Sequence, residues 1–528
     1  DLAEVRKKRT NLNPQELGDA QARAAEWKRW QRNPVFDEAE LAKMVKAGTD
    51  KLLTMQNSDG GWGWFSGYGE QSYAHTTAVV MHGLQVGREA GQKVDNRMYG
   101  SGLRWLSAYE KRQVVALKRY EARQELIKAG KKPKSPKLPE KATADALDAL
   151  VRETLGRAGQ NHEEMTGFLY RDRTTLPVYG QALLGLELHR LKDEARRDEV
   201  MKIISQFQKR DEENQTTYLD LKNSGYWWNW YGSPIEAHAW YLKLLSAVKP
   251  KDPDTRGLVK YLVNNRKGGD YWESTRDTAY VIEAISDYIK ASGEDAPAME
   301  VEVLLDGRSL GKTTISPDNL FSFDGTTTLA GKDVSPGKHM IEVRKSGEGA
   351  LYANAYLEVF TLEDRLRAAG LEVKVQRKVY KIIESAKENQ VPDASGIAVK
   401  QMEERVKREP LEDGAVVSSG DRIEVELVLE SKNDYEYLIF SDAKAAGFEA
   451  INTLSGYTSG PGISAYMEPR DQTVNFFIRS LPRGSHSLRY QLRAETPGVY
   501  KALPATANAM YAPELRGNSA DFKLGIGE

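Results

Sequence analysis

The stretch Met55-Gln56-Asn57-Ser58-Asp59-Gly60-Gly61-Trp62-Gly63-Trp64-Phe65 decides the fold, because degraded copies of it recur along the first half of the chain. Gly225-Tyr226-Trp227-Trp228-Asn229-Trp230-Tyr231 leads into Ile235-Glu236-Ala237-His238-Ala239-Trp240. Gly268-Gly269-Asp270-Tyr271-Trp272 leads into Ser274-Thr275-Arg276-Asp277-Thr278-Ala279-Tyr280. A weaker copy, Leu169-Tyr170-Arg171-Asp172-Arg173, precedes Leu176-Pro177-Val178-Tyr179-Gly180-Gln181. Each copy is a glycine- or aromatic-rich turn, then a small-residue helix opening, then an apolar helix. Spaced self-similarity of this kind marks repeated helical hairpins that bury their cores against neighbours. The chain is therefore expected to begin as a stack or ring of helix pairs.

Outward from that turn, Asp37 to Gln56 has the apolar spacing of an amphipathic helix (Leu41, Met44, Val45, Leu52, Leu53). His75 to Gly87 is more apolar and reads as its buried inner partner, and Asn96 to Glu110 as the next helix. Between Lys111 and Gly159 the pattern becomes a long charged helix, a proline-bearing linker around 131–139, and a second helix from about Ala142 to Leu155. This predicts a protruding helical hairpin inserted into the array at about 111–158, its Lys-rich tip solvated. Helix pairs then resume to Ile289. At Met299 the period switches to two: Val301 to Leu305, the turn Asp306-Gly307, and Ser309 to Ile315 read as a hairpin. Met340 to Arg344 and Ala353 to Phe360 continue that sheet. Leu371–Arg377, Arg422–Leu429, Thr473–Ile478 and Ser487–Ala494 alternate cleanly, as strands of a β-sandwich do.

Composition sets bounds on function. At 528 residues the chain is too long for one core. Its 75 Lys plus Arg nearly cancel 76 Asp plus Glu, which gives no sign of a nucleic-acid or acidic-membrane binder. No apolar run is long enough for a transmembrane helix. There is no cysteine, so within these residues there is no disulfide, thiolate metal site, Cys nucleophile or thioester. The start has no initiator Met, and its first thirty residues are charged and helical in pattern, ending in Trp27-Lys28-Arg29-Trp30. It reads as the inside of a longer polypeptide.

Two groups of residues together carry a resemblance. In the helical half they are Asp59-Gly60-Gly61-Trp62 and Gly268-Gly269-Asp270-Tyr271-Trp272 with Ser274-Thr275-Arg276-Asp277-Thr278-Ala279. In the tail they are Asn433-Asp434-Tyr435-Glu436-Tyr437-Leu438, Pro482-Arg483-Gly484-Ser485-His486, Thr496-Pro497-Gly498-Val499-Tyr500 and Met510-Tyr511-Ala512-Pro513-Glu514-Leu515-Arg516-Gly517. In that order they resemble the bacterial alpha-2-macroglobulins, over nearly the whole chain. The resemblance implies an α plus β fold: an α/α-toroid of helical hairpins followed by two all-β, sandwich-like domains. Residues 1–292 would be the thioester-type toroid, 298–362 part of a CUB-like β-domain, and 371–528 the terminal macroglobulin-like sandwich. The family's Cys-x-x-Gln, which forms an internal thioester, would lie upstream of Asp1. Gly67-Tyr68-Gly69-Glu70-Gln71 imitates that motif with Tyr in place of Cys, and it follows the Trp turn where a family thioester precedes it.

By resemblance the parent would be a periplasmic or envelope-associated protease trap rather than an enzyme. Its partners would be target proteases and its own N-terminal macroglobulin domains, with no cofactor or metal. Trp62, Trp64, Phe65, Tyr68 and His75 would form a loop shielding the thioester or meeting an interface. Two alternatives stand beside this: a thioester-free envelope binding or structural homologue, and a toroid enzyme acting on polysaccharide or polyprenyl substrates. The residues themselves favour a quieter reading. In Gln56-x-x-Asp59-Gly60-Gly61-Trp62 the indole packs a helix end while Asp and Gly shape the turn. His75 and His82, two helical turns apart, lack a third ligand for a metal. His238 reads as a helix-opening residue facing its neighbours. Glu236, Glu273, Arg276 and Asp277 sit at helix openings after the repeat turns, where the helix dipole favours the carboxylates. A glycosidase pair would need two such residues facing one cleft.

Overall fold

Capping side chains start most of the helices in the computed structural model. It describes residues 38–65, 69–131, 138–221, 233–267, 271–294, 296–320, 322–355, 357, 365–392, 398–512 and 515–528, with the backbone alone over 385–405. The expected N-terminal helix, the turn Gly225–Tyr231, Tyr68 and most of the Lys-rich linker lie outside these residues. Ten α-helices fall within them: α1 Glu38–Met55, α2 Ala74–Glu89, α3 Asn96–Lys128, α4 Ala146–Arg157, α5 Glu163–Arg171, α6 Val178–Arg190, α7 Glu194–Ser205, α8 Pro234–Val248, α9 Pro253–Asn264 and α10 Thr275–Ser292. Asp95, Asp145, Asp193, Ser233, Asp252 and Ser274 each accept a backbone N–H of the first turn, so the chain direction changes where the sequence supplies a cap. Gly293, at φ 79°, ends α10 in a left-handed conformation that costs glycine little.

The helices alternate between an inner and an outer layer. Inner helices α2, α4, α6, α8 and α10 pack in that order, with α1, α3, α5, α7 and α9 outside them. On α8 every residue from Ile235 to Ser246 is buried, the mark of a helix covered all round. The ring closes between α10 and α2, where His82 Nε2 lies 2.6 Å from Glu283 Oε2 and the His82 ring meets Tyr280 edge-on at 5.4 Å. The inner helices run parallel, so their N-termini gather at one end.

A short hairpin interrupts the ring: β1 Gln208–Asp211 and β2 Thr216–Leu219, whose strand packs on α9. After the ring comes a three-stranded antiparallel sheet in the order β4-β3-β5, with β3 Ala298–Leu305, β4 Arg308–Ile315 and β5 Ile341–Glu348. Asp306 (φ 51°) and Gly307 (φ 81°) turn β3 into β4 through two positive-φ residues, as a twisted two-residue hairpin requires.

The rest of the chain is a β-sandwich. Its five-stranded sheet has the order β11-β15-β9-β6-β7 and its six-stranded sheet the order β12-β13-β14-β10-β17-β18. The first is built from β6 Val373–Pro392, β7 Ala398–Pro410, β9 Arg422–Ser431, β11 Phe448–Ala450 and β15 Gly484–Ala494. The second uses β10 Tyr435–Ala443, β12 Gly456–Gly460, β13 Ile463–Pro469, β14 Thr473–Leu481, β17 Thr506–Ala509 and β18 Arg516–Asn518. A small third sheet joins β16 Gly498–Ala502, β19 Phe522–Gly527 and β8 Ala415–Ser418, the last pair parallel. Leu427, Leu438, Phe440, Phe448, Phe476 and Leu481 fill the space between sheets, a core separate from that of the ring.

Two expectations are corrected. Residues 111–158 are not an insertion outside the array: Asn96–Lys128 is one continuous outer helix, with no buried residue beyond Leu117, and Ala146–Arg157 is an inner helix with Leu150, Val151 and Leu155 fully buried. The charged pattern misled because α4 also buries Asp148, Arg152 and Glu153, paired with Lys141 in the preceding loop and with charges on α3 and α6. The strand expected over Ala353–Phe360 is not formed at 353–355, which carry no strand pairing, and its later residues lie largely outside the described ones.

Candidate functional site at the mouth of the helical ring

The Trp turn is a staple between an outer helix and the inner helix that follows it. Trp62 Nε1 donates to the Leu52 carbonyl of α1 at 2.8 Å, and Trp62 N donates to Thr77 Oγ1 of α2 at 3.0 Å. The second copy repeats this: Trp272 Nε1 donates to Leu262 O of α9 at 2.9 Å, and Trp272 N to Thr278 Oγ1 of α10 at 3.0 Å. In both, the indole satisfies a carbonyl near the end of a helix, where carbonyls lack partners of their own. Asp59 ties the first turn to α3, accepting from Gly61 N at 3.0 Å, Ser72 Oγ at 2.6 Å and Trp105 Nε1 at 2.8 Å. Gly60, at φ 94°, lies so close to α3 that a Cβ would come within 2.9 Å of the Ser101 carbonyl.

Trp62 is 2% exposed, so its ring faces are spent on packing against Met81 and α3. Trp64 and Phe65 differ, at 46% and 75% exposed, on a loop pinned by Glu70, whose Oε1 accepts from Trp64 N at 2.8 Å. Tyr73 N donates to Trp62 O at 2.9 Å, which joins this loop to the helix opening that carries His75.

Behind the loop, side chains from several inner-helix openings converge. Arg276 of α10 places Nη1 3.4 Å from His75 Nε2 of α2 and Nη2 3.2 Å from Glu236 Oε2 of α8. Trp240 Nε1 reaches Glu236 Oε1 at 3.4 Å. Burial pushes Glu236 up to about 7 against the pull of Arg276. Burial, reinforced by the same guanidinium, pushes His75 down to about 4. A histidine facing a cation is a poor proton acceptor at neutral pH. Tyr179 and Tyr280 line the same region; burial holds both phenols well above their ordinary range.

Asp277 braces two helix caps at once, accepting from Ser233 Oγ at 2.5 Å and from Ser274 Oγ at 2.6 Å. Glu236 and Asp277, the acids a glycosidase reading would need free, are thus buried and engaged. His238 is also a packing residue: Leu219 N donates to its Nε2 at 2.9 Å, while its Nδ1–H donates to Pro234 O at 2.6 Å. Burial lowers it to about 4. His82 joins Glu283, and Lys243 reaches the same carboxylate at 2.7 Å, which holds Glu283 well below the usual range. Among the described residues no cluster of three or more His, Cys, Asp or Glu is arranged to hold a metal ion. The sequence placed Arg276 at a helix opening but not its partners His75 and Glu236, since an arginine there carries no signal of what lies across a ring.

Residues 373–514 match the family model of the bacterial alpha-2-macroglobulin MG10 domain. An alpha-2-macroglobulin homolog of Nostoc sp. is 23% identical over 504 residues, which cover 93% of this chain and 24% of the relative. The findings point to the bacterial alpha-2-macroglobulin family, C-terminal portion. An alpha-2-macroglobulin of Thermotoga maritima is 24% identical over 245 residues, 46% of this chain and 12% of its own length. The chain thus spans about a quarter or less of these curated relatives. Among solved structures, trypsin-activated alpha-2-macroglobulin of Escherichia coli aligns over 91% of this chain and 29% of its own, at 16% identity and a TM-score of 0.41. Among the described residues no helix is long and apolar enough to cross a membrane.

Proposed function

We propose that this chain is the C-terminal scaffold of a bacterial alpha-2-macroglobulin-like protease trap working in the periplasm or cell envelope, and that it is not an enzyme. The observation that carries the reading is the alignment to the Nostoc homolog, which runs through the ring, the small sheet and the sandwich in one order. In this scheme a protease cuts a bait segment elsewhere in the parent, the molecule rearranges, and a thioester upstream of Asp1 acylates a lysine of the attacker. The layout 1–292, 298–362 and 371–528, as toroid, CUB-like portion and terminal macroglobulin-like sandwich, belongs to the same proposal.

Water hydrolyses a thioester, so the resting state must keep it dry. The exposed Trp64 and Phe65 would form an apolar wall at the ring mouth, carried on the buried Trp62 and the His75 opening. The test is the intact mass of the native protein from its source cells, before and after methylamine. A longer species that gains one methylamine supports the trap. A species starting at Asp1 sinks the mechanism for this chain. A longer species that stays inert, with prior hydrolysis excluded by mass, favours a thioester-free homologue. In a reactive parent, Trp64→Ala with Phe65→Ala is expected to speed methylamine uptake without lowering stability.

A further inference from the structure

The sandwich has an opening along one edge of its five-stranded sheet. β15 is held on one side by β9 from Gly484 to Arg493, but on the other side β11 pairs with it only at Leu492–Ala494. After Ala450 the chain makes one more main-chain bond to β15, Ile451 N to Gln491 O at 3.1 Å, and leaves for the second sheet. Further down, Gly460 at the end of β12 crosses closely against the Ser487 main chain. Between these two crossings a cavity of about 290 Å³ opens beside Arg489 and Tyr490. Ala450, Ile451, Met467 and Val474 line its apolar part, and the last two are buried, so the space runs inward between the sheets.

The direction of the main-chain groups alternates along a strand. Gln491 O points to the β11 side, whereas Ala494 N points to the other, where it donates to Asp421 O at 2.9 Å. By that alternation both the N–H and the C=O of Arg489 point into the gap, with no strand opposite among the described residues. An open main-chain pair at a sheet edge is a template for another strand. The charges at the opening are already matched: Arg489 Nη2 lies 2.6 Å from Glu426, and Arg408 Nε 2.5 Å from Glu424. What the opening can still hold is an uncharged main chain with an apolar side chain, rather than an ion.

We infer that this cavity is a peptide site, which takes an extended segment antiparallel to β15 in continuation of β11. One residue of the segment exchanges both main-chain hydrogen bonds with Arg489. The residue before it lies opposite Tyr490, which faces the sandwich core, and opposite residues share a face of the sheet. Its side chain therefore enters the cavity. Strand addition supplies affinity without regard to sequence, and the cavity selects an apolar side chain at that one position.

The test titrates the capped dipeptide acetyl-Leu-Ala-amide into the purified 528-residue chain, with binding followed by ligand-observed NMR. Its leucine would fill the cavity and its alanine would pair with Arg489. Acetyl-Gly-Ala-amide lacks the apolar side chain and is expected to bind about tenfold more weakly. Methylating the alanine nitrogen removes the N–H that Arg489 O would accept, and is expected to weaken binding about fivefold. Ala450→Phe fills the space and is expected to abolish binding, with thermal unfolding and far-UV circular dichroism checking its fold. The peptide comparisons use the unaltered chain, so they decide the matter even where that variant fails to fold. No binding in the millimolar range overturns the inference. So does equal binding of the methylated peptide, or equal binding of isopentyl alcohol, which would show an apolar cavity without peptide recognition.

Discussion

In the ring, Arg152 lies fully buried with Nη1 2.9 Å from Glu110 and Nε 3.2 Å from Glu187, linking three helices. In the sandwich, the buried Arg377 holds Asp442, with Tyr490 completing the group at 2.7 Å, and both acid and phenol lie on paired strands. The contrast comes from what the backbone leaves undone. A strand is tied to its neighbour by main-chain hydrogen bonds, so sheet order and register are set before side chains are consulted. A helix spends its main-chain bonds internally, so the order of inner helices around the ring must come from side chains. Three seams of the ring carry a polar lock: Arg152 joins α4 to α6 and to the outer α3, Lys243 with Glu283 joins α8 to α10, and His82 with Glu283 sits at the closure.

If that account holds, the largest loss comes from breaking a lock. Arg152→Met removes the cation shared by two buried carboxylates, leaving Glu187 only Arg190 and Glu110 only His162, and is expected to cost the ring up to about 3–5 kcal/mol in urea unfolding. Adding Glu110→Gln and Glu187→Gln should recover most of it; no recovery would mean the ions were not the reason for the loss.

Next in size is pH. Glu236 is raised, so between the ordinary carboxylate range and pH about 7 the folded ring keeps a proton that the unfolded chain has released. Stability therefore falls as pH rises through that window. Glu236→Gln is expected to flatten this part of the thermal-unfolding profile, by about 3 kcal/mol at most. His238 works in the opposite sense. Lowered to about 4, it stays neutral when folded while the unfolded chain protonates, so stability falls as pH drops from the ordinary histidine range towards 4.

The Trp turns allow a comparison inside the ring. Trp62→Phe and Trp272→Phe each leave a helix-end carbonyl without its indole donor, and each is expected to cost about 1–3 kcal/mol in equilibrium unfolding. Unequal losses would show that the two staples, equal in geometry, carry different loads. The smallest effect belongs to the contact between ring and sandwich, where Lys432 meets Glu213 at 3.0 Å and Lys374 meets it at 2.8 Å. These pairs are partly exposed, so Lys432→Ala should change stability by less than about 1 kcal/mol and lose its effect in high salt.

The repeated turn was legible because the chemistry of a turn is local: glycine for the backbone, aspartate for the N–H groups, tryptophan for the helix end. For the same reason the hairpin at Asp306-Gly307 and the alternating sandwich strands could be read directly. Residues 111–158 were not legible. Asp148, Arg152 and Glu153 look solvated in sequence, and only their partners, Lys141 in the preceding loop and charges on α3 and α6, make them interior. The site at the ring mouth was half legible. Trp62 and His75 stood out, but Trp62 proved a core residue, and the Arg276 that joins His75 to Glu236 comes from 201 residues further along the chain.

By itself the sequence determined the helical repeats, the switch to period two at Met299 and the absence of any cysteine, because each depends on neighbours within a few residues. Tertiary structure alone decided which charged helices are interior, which aromatic of the Trp turn is buried and which exposed, and where the edge of β15 is left open. Those outcomes depend on groups brought together across the ring or between strands, and no spacing along the chain records such distances.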